Sequence, residues 1–288
     1  MIDDTQLLAL AAAQFFGLAL VLTQFGLRFR TPLQGAAISV PCSALLFLAA
    51  APFLVDVSQG DWRGGLVFAG VGCLFPAAVT VLTFQSNRLA GPNVTGAIGN
   101  LAPVFAVSLA ALFFGAALGL IDVVSVAIIV LGVTLIATAR GMTHGKISRW
   151  ALALPLAAAF IRGIVQPVVK TGLVYWPDPF AAVTIGYLVS AILVICVARW
   201  RRRDGAVSDD TRGFMWFALV GLCNGMAVFT MYAALAKGEV AVVAPLVAIY
   251  PLATLVFSAL FLGRVTINPR LIAGVMVTVG GVAALLAS

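Results

Sequence analysis

The sequence predicts an all-α integral membrane protein of ten transmembrane helices in two inverted five-helix repeats. Three observations carry this. Of 288 residues, 62% are hydrophobic and 9% charged, with a mean hydropathy of +1.13; so little polar surface cannot coat a soluble fold, whereas lipid requires an apolar exterior. Charges and Pro/Gly clusters cut the chain into ten apolar stretches, each close to the roughly 20 residues that cross a hydrocarbon core. The first five and the last five stretches share landmarks in the same order.

The first span, 5–27, follows Asp3-Asp4 and ends at Arg28. Its start lacks the basic residues of a signal peptide, so it is expected to stay as a helix. The second is 35–55, the third 64–86, the fourth 93–115 and the fifth 121–139, before a polar stretch from Arg140 to Arg149. The second set comprises 150–174, 179–199, 213–236, 240–262 and 269–287, with the longest connector, Arg199 to Arg212, rich in Arg and Asp. The other connectors are short, so consecutive helices are expected to be antiparallel neighbours. The division is a first repeat over 1–140, a connector over 141–149 and a second repeat over 150–288.

The landmarks are glycines, prolines and their neighbours. Leu112-Phe113-Phe114-Gly115 matches Leu260-Phe261-Leu262-Gly263, and a proline precedes each glycine by twelve residues, Pro103 and Pro251. Ala90-Gly91 matches Lys237-Gly238. Gly17 and Gly26 have the spacing of Gly163 and Gly172, and Gly132-Val133 matches Gly281-Val282 after one inserted residue. An odd number of spans per half reverses the second half in the membrane. Inverted repeats place a binding site between the halves near mid-membrane.

Several chemistries lack their residues. The net charge of +7 sits between apolar runs, where it meets headgroups and fixes topology, so no nucleic-acid partner is implied. Cys42, Cys73, Cys196 and Cys223 all lie inside apolar runs without a CxxC pair, which reads as packing rather than a metal site or disulfide. Every carboxylate, from Asp3 to Glu239, falls in a connector or at a span end, and the only histidine, His144, is in the central connector. Catalytic residues, metal ligands and cofactors are therefore not expected, and a membrane-embedded lipid enzyme is the weaker alternative. With the N-terminus outside, Arg28, Arg30, Arg88, Arg140, Lys146, Arg149, the Arg199–Arg212 cluster, Arg264 and Arg270 all lie inside, which the positive-inside rule favours.

Five-plus-five helices, a proline twelve residues before a glycine in the fourth and ninth, and a Gly-Val closing helix resemble the drug/metabolite transporter superfamily, EamA type. The Asn100-Leu101-Ala102-Pro103 segment resembles the amino-acid exporters of that family, the aromatic amino acid exporter group among them. Phe16-Gly17 and Arg162-Gly163 stand where members often carry Trp-Gly, followed by Gln24 and Lys170 at the place of a Lys or Arg. Ala116 and Arg264 stand where the family has Glu. The resemblance implies a transporter, not an enzyme, and a multi-pass protein of the cell (inner) membrane. It also implies both termini in the cytoplasm, against the charge count; the orientation stays open here.

Arg162 lies midway along the sixth span, where a charge costs at least roughly 2.5–3.5 kcal/mol and must face protein or water. Gln166 and Lys170 follow at four-residue steps, so the three stack on one helix face, and Pro167 is expected to kink the helix beside them. A cationic stripe with no acid at its depth suits a substrate carboxylate. Lys170, near the span end, can equally reach an interface. Asn100, among Gly96, Gly99 and Pro103, is expected at a helix break; Tyr250 holds the matching place in the second half, and Tyr232 can stack on a substrate ring. Gly17, Gly163, Pro103, Pro167 and Pro251 are the expected bending points. The expected function is alternating-access transport of small organic metabolites, amino acids including aromatic ones (export), by facilitated diffusion or exchange. Partners are the solute and the bilayer, as a monomer; a second reading is another anionic metabolite such as a nucleotide-sugar.

Overall fold

The first three helices each start where a capping side chain meets an apolar run. In the computed structural model, which describes residues 3–114, 119–139, 149–201, 211–262 and 269–287, Asp3 opens α1 (Asp4–Gly26). Its carboxylate accepts from the Thr5 N–H at 3.1 Å, and Gln6 Oε1 accepts from the Asp3 N–H at 3.2 Å. This reciprocal pair satisfies amides that a helix start otherwise leaves open. Thr31 and Gln34 open α2 (Pro32–Leu54) likewise, with bonds of 3.0 and 3.4 Å, and Asp61 caps α3 (Trp62–Leu74). The chain continues through α4 (Ala77–Gly99), α5 (Ala102–Phe114), α6 (Leu120–Ala139), α7 (Arg149–Tyr175) and α8 (Pro179–Arg201). It ends with α9 (Thr211–Lys237), α10 (Val240–Val247), α11 (Tyr250–Leu262) and α12 (Pro269–Ala287). No strand occurs among the described residues. Residues 141–148 with His144, the 202–210 stretch, and Gly115, Ala116, Gly263 and Arg264 lie outside the described residues.

Among the described residues, seven apolar stretches are long enough to cross a bilayer and three are shorter, and each falls on one of the ten expected spans. Large apolar side chains such as Leu45, Phe53, Leu112, Ile192 and Phe261 point outward, where lipid replaces water. Threonines inside the bundle mostly satisfy themselves: Thr23, Thr184, Thr230, Thr254 and Thr278 each donate to the carbonyl four residues back.

The third span differs in detail from the expectation. It is interrupted at Phe75-Pro76, where α3 stops and the Ala77 N–H is taken up by Ser190 Oγ at 3.2 Å. The helical run then continues beyond 86 to Gly99. Ser86 Oγ and Thr95 Oγ1 are nevertheless 2.6 Å apart, whereas nine residues of straight helix cover about 13.5 Å. The chain therefore doubles back between them, and the third and fourth spans are antiparallel with a helical turn as their connector. The fourth and ninth spans are each broken, after Gly99 and after Val247. The cause is local: Pro103 and Pro251 have no N–H for the carbonyl four residues earlier, which belongs to those two residues. Pro167 does not interrupt α7.

The two halves repeat each other contact for contact. A Cβ on Gly17 would strike Ala253 Cβ at 2.6 Å, Thr254 N at 2.8 Å and Tyr250 O at 2.9 Å; one on Gly163 would strike Phe105 Cβ, Ala106 N and Ala102 O. Gly26 rests on the ring of Phe217 and Gly172 on that of Phe68. Ser43 Oγ donates to the Gly221 carbonyl at 2.6 Å, and Ser190 Oγ donates to the Gly72 carbonyl at 2.5 Å. Each contact crosses from one half to the other, so the core is the seam between repeats, with α2 on α8 and α6 on α12 near its centre line. Lys237 Nζ, 2.8 Å from Asp4 Oδ2, brings the end of α9 to the start of α1. With alternating helix directions, Arg28, Arg88, Arg149 and Arg270 fall at the opposite end.

Candidate functional site

Thirteen residues separate Arg162 from either end of α7 (Arg149–Tyr175), so its guanidinium enters the bundle at mid-depth. One N–H donates to Thr83 Oγ1 on α4 at 3.4 Å, and Nε is buried with no partner. No carboxylate pairs with it among the described residues, where the ion pairs are Lys170–Glu239 and Lys237–Asp4. Arg162 lies between two adjoining cavities of about 60 and about 40 Å³, which also share Phe16, Phe75, Gly99 and Tyr250. Their combined space holds a few waters, so an organic solute requires the bundle to open.

The larger cavity is the more polar, with Thr23, Thr80, Thr83, Thr95, Asn224 and Tyr187 around it. Its neighbour is apolar apart from Arg162, Gln166 and Tyr250, and is walled by Phe75, Val165, Met231 and Val247. Gln166, only 5% exposed, leaves Oε1 without a donor. A turn of α7 thus offers an unused donor at Arg162 and an unused acceptor at Gln166. Tyr250, from the break between α10 and α11, reaches across the repeat seam: a Cβ on Gly99 would lie 3.1 Å from its hydroxyl. Its ring stands edge-on to Phe16, with centroids 6.5 Å apart.

Arg162, Gln166 and Tyr250 thus come together on one cavity, and Pro103 lines it. Asn100 is 1% exposed in the α4–α5 break, beside the cavity rather than on its wall, with both amide atoms unpartnered. Tyr232 is buried behind the wall. Lys170 lies eight residues on, about 12 Å along the axis; its Nζ donates to the Gly238 carbonyl at 2.8 Å and stands 4.0 Å from Glu239. The structure adds Phe75, Thr80, Thr83 and Thr95, which sequence reasoning did not single out, and Phe16, which it quoted only beside Gly17. Thr80 and Thr83 carried one signal, a three-residue helical spacing in the third span.

No group of three or more His, Cys, Asp or Glu side chains able to hold a metal ion occurs among the described residues. A solved structure described only as the crystal structure of a protein superposes with a TM-score of 0.80 at 18% identity, covering 99% of this chain and 96% of that one. That likeness speaks for the fold. No curated protein matches. The EamA-like transporter family matches twice, over residues 5–138 and 149–287, which are the two halves related by the contacts above. The chain belongs to the EamA-like transporter family.

Proposed function

We propose that this membrane transporter of small molecules carries amino acids, aromatic ones included, by alternating access between its two halves. The observation behind this reading is the pair of unsatisfied groups on α7, Arg162 Nε and Gln166 Oε1, one turn apart. An α-carboxylate suits the first and an α-ammonium the second, with the solute replacing partners that buried groups otherwise lack. Phe16, Phe75, Val165, Met231 and Tyr250 supply an apolar wall for a side chain. A nucleotide-sugar fits less well, because Arg162 is the single cation among the described lining residues. With no carboxylate at membrane depth among the described residues, facilitated diffusion or exchange is favoured over obligate proton coupling.

The test is counterflow of labelled phenylalanine into proteoliposomes, competed by 3-phenylpropionate, which lacks the ammonium, and by phenethylamine, which lacks the carboxylate. Unlabelled phenylalanine should compete at least about tenfold better than either, as expected when one charge-assisted bond of about 1.5–3 kcal/mol is lost. Equal competition by 3-phenylpropionate would remove the ammonium, and with it the amino acid, from the account.

A further inference from the structure

At the arginine-rich end of the molecule a separate cavity of about 610 Å³ opens between the α1–α2 connector and α4. Its polar wall is Gln24, Arg28, Arg30, Gln34, Asn87 and Arg88, and none of its described lining residues is acidic. Arg28 and Arg88 are exposed and form no ion pair with a described residue. The Arg28 guanidinium lies 5.2 Å over the Phe25 ring, which orients it without neutralising it. Arg30 packs against Gly213, where a Cβ would meet its Cγ at 2.7 Å. Asn87 also lines the cavity, with its Oδ1 buried and unpartnered.

Arg28 and Arg88, two exposed charges that form no ion pair with a described residue, line one concavity, where an anion between them offsets their repulsion. We propose that this cavity is a binding site for a phosphate-class anion, gripped by Arg28 and Arg88. Planar guanidiniums match phosphate oxygens in pairs. The anion has two sources, a phosphodiester of an anionic lipid headgroup at this membrane edge or free phosphate from the water. Its place gives it a consequence. α1 packs on α9, α10 and α11, while α4 packs on α2, α6 and α7, so the two helices flank a cleft. Thr23 and Thr83 line the central cavity from these helices, and Gln24 and Asn87 line the outer one. An anion held by Arg28 and Arg88 therefore fastens the two sides of the cleft at its mouth. The site stands independently of the solute proposed above.

The experiment uses the full-length protein. Its unfolding midpoint in detergent is measured in inorganic phosphate against chloride at equal ionic strength. Lipid retention from equal phosphatidylglycerol and phosphatidylcholine is read by native mass spectrometry. Wild type should show a raised midpoint in phosphate, or preferential retention of phosphatidylglycerol, and Arg28→Gln/Arg88→Gln should lose whichever occurs. A phosphate response identifies the free anion; phosphatidylglycerol retention without it identifies the lipid. Arg63→Gln, at the opposite end, should behave as wild type, and Arg88→Gln alone stands in should the double variant not fold. Wild type and the Arg28/Arg88 variants behaving alike with both probes, or Arg63→Gln losing as much, overturns the site.

Discussion

Arg162 has charge and geometry that can be separated by substitution. Lysine keeps the charge but loses the planar fork and the second donor. If a solute carboxylate sits there, Arg162→Lys should raise the KM for phenylalanine by about ten- to a hundredfold, the range of one charge-assisted bond, while the protein still folds. Uptake kinetics in proteoliposomes check this. Asn100 makes a different case. Both its amide atoms are buried and unpartnered, so Asn100→Leu gives up no hydrogen bond in this state and removes a desolvation penalty. Its unfolding midpoint in detergent should stay level or rise; a clear fall would mean that the amide is bonded after all. Arg162 was legible in the sequence because a lone charge in an apolar run is costly. Thr83 was not, because a threonine in an apolar helix ordinarily bonds its own backbone, as Thr254 does here.

At the scale of helices, the seam is held by close backbone approach and reciprocal hydroxyl bonds. Gly17 against α11 and Gly163 against α5 are equivalent, and both neighbours present backbone atoms that cannot yield. Gly17→Val and Gly163→Val should each destabilise by about 1–3 kcal/mol through overpacking, read as lowered unfolding midpoints. Ser43→Ala should cost less, about 0.6 kcal/mol, as interhelical bonds within membranes do, and Ser190→Ala more than that, because Ser190 Oγ also takes up the buried Ala77 N–H. Unequal losses within the glycine pair would contradict the equivalence. These glycines and the paired prolines were visible in the sequence as spacing. The Gly64-x3-Phe68-x3-Gly72 and Gly213-x3-Phe217-x3-Gly221 motifs carry the same seam, since Phe68 receives Gly172 and Phe217 receives Gly26. They were missed because their meaning depends on which helix faces them. The break at Phe75-Pro76 falls at a proline, a residue the sequence marks as a bending point.

For the molecule as a whole, the Lys237–Asp4 pair and the alternation of ten spans put the two termini at one end and Arg28, Arg88, Arg149 and Arg270 at the other. The positive-inside rule then predicts the arginine-rich end in the cytoplasm and the termini outside. A membrane-impermeant thiol reagent should label a cysteine introduced at Ser58 in intact cells and spare one introduced at Ser148; the reverse pattern would turn the molecule over. The absence of a carboxylate at membrane depth among the described residues leads to a further expectation, that flux persists when the proton gradient alone is collapsed. The central claim is that a solute carboxylate meets Arg162 between the repeats. Its most direct test is saturable uptake of labelled phenylalanine into liposomes holding wild type or Arg162→Gln, with folding checked by size-exclusion profile. The account predicts uptake by wild type and a loss of at least about tenfold in the variant; equal uptake by both would contradict it.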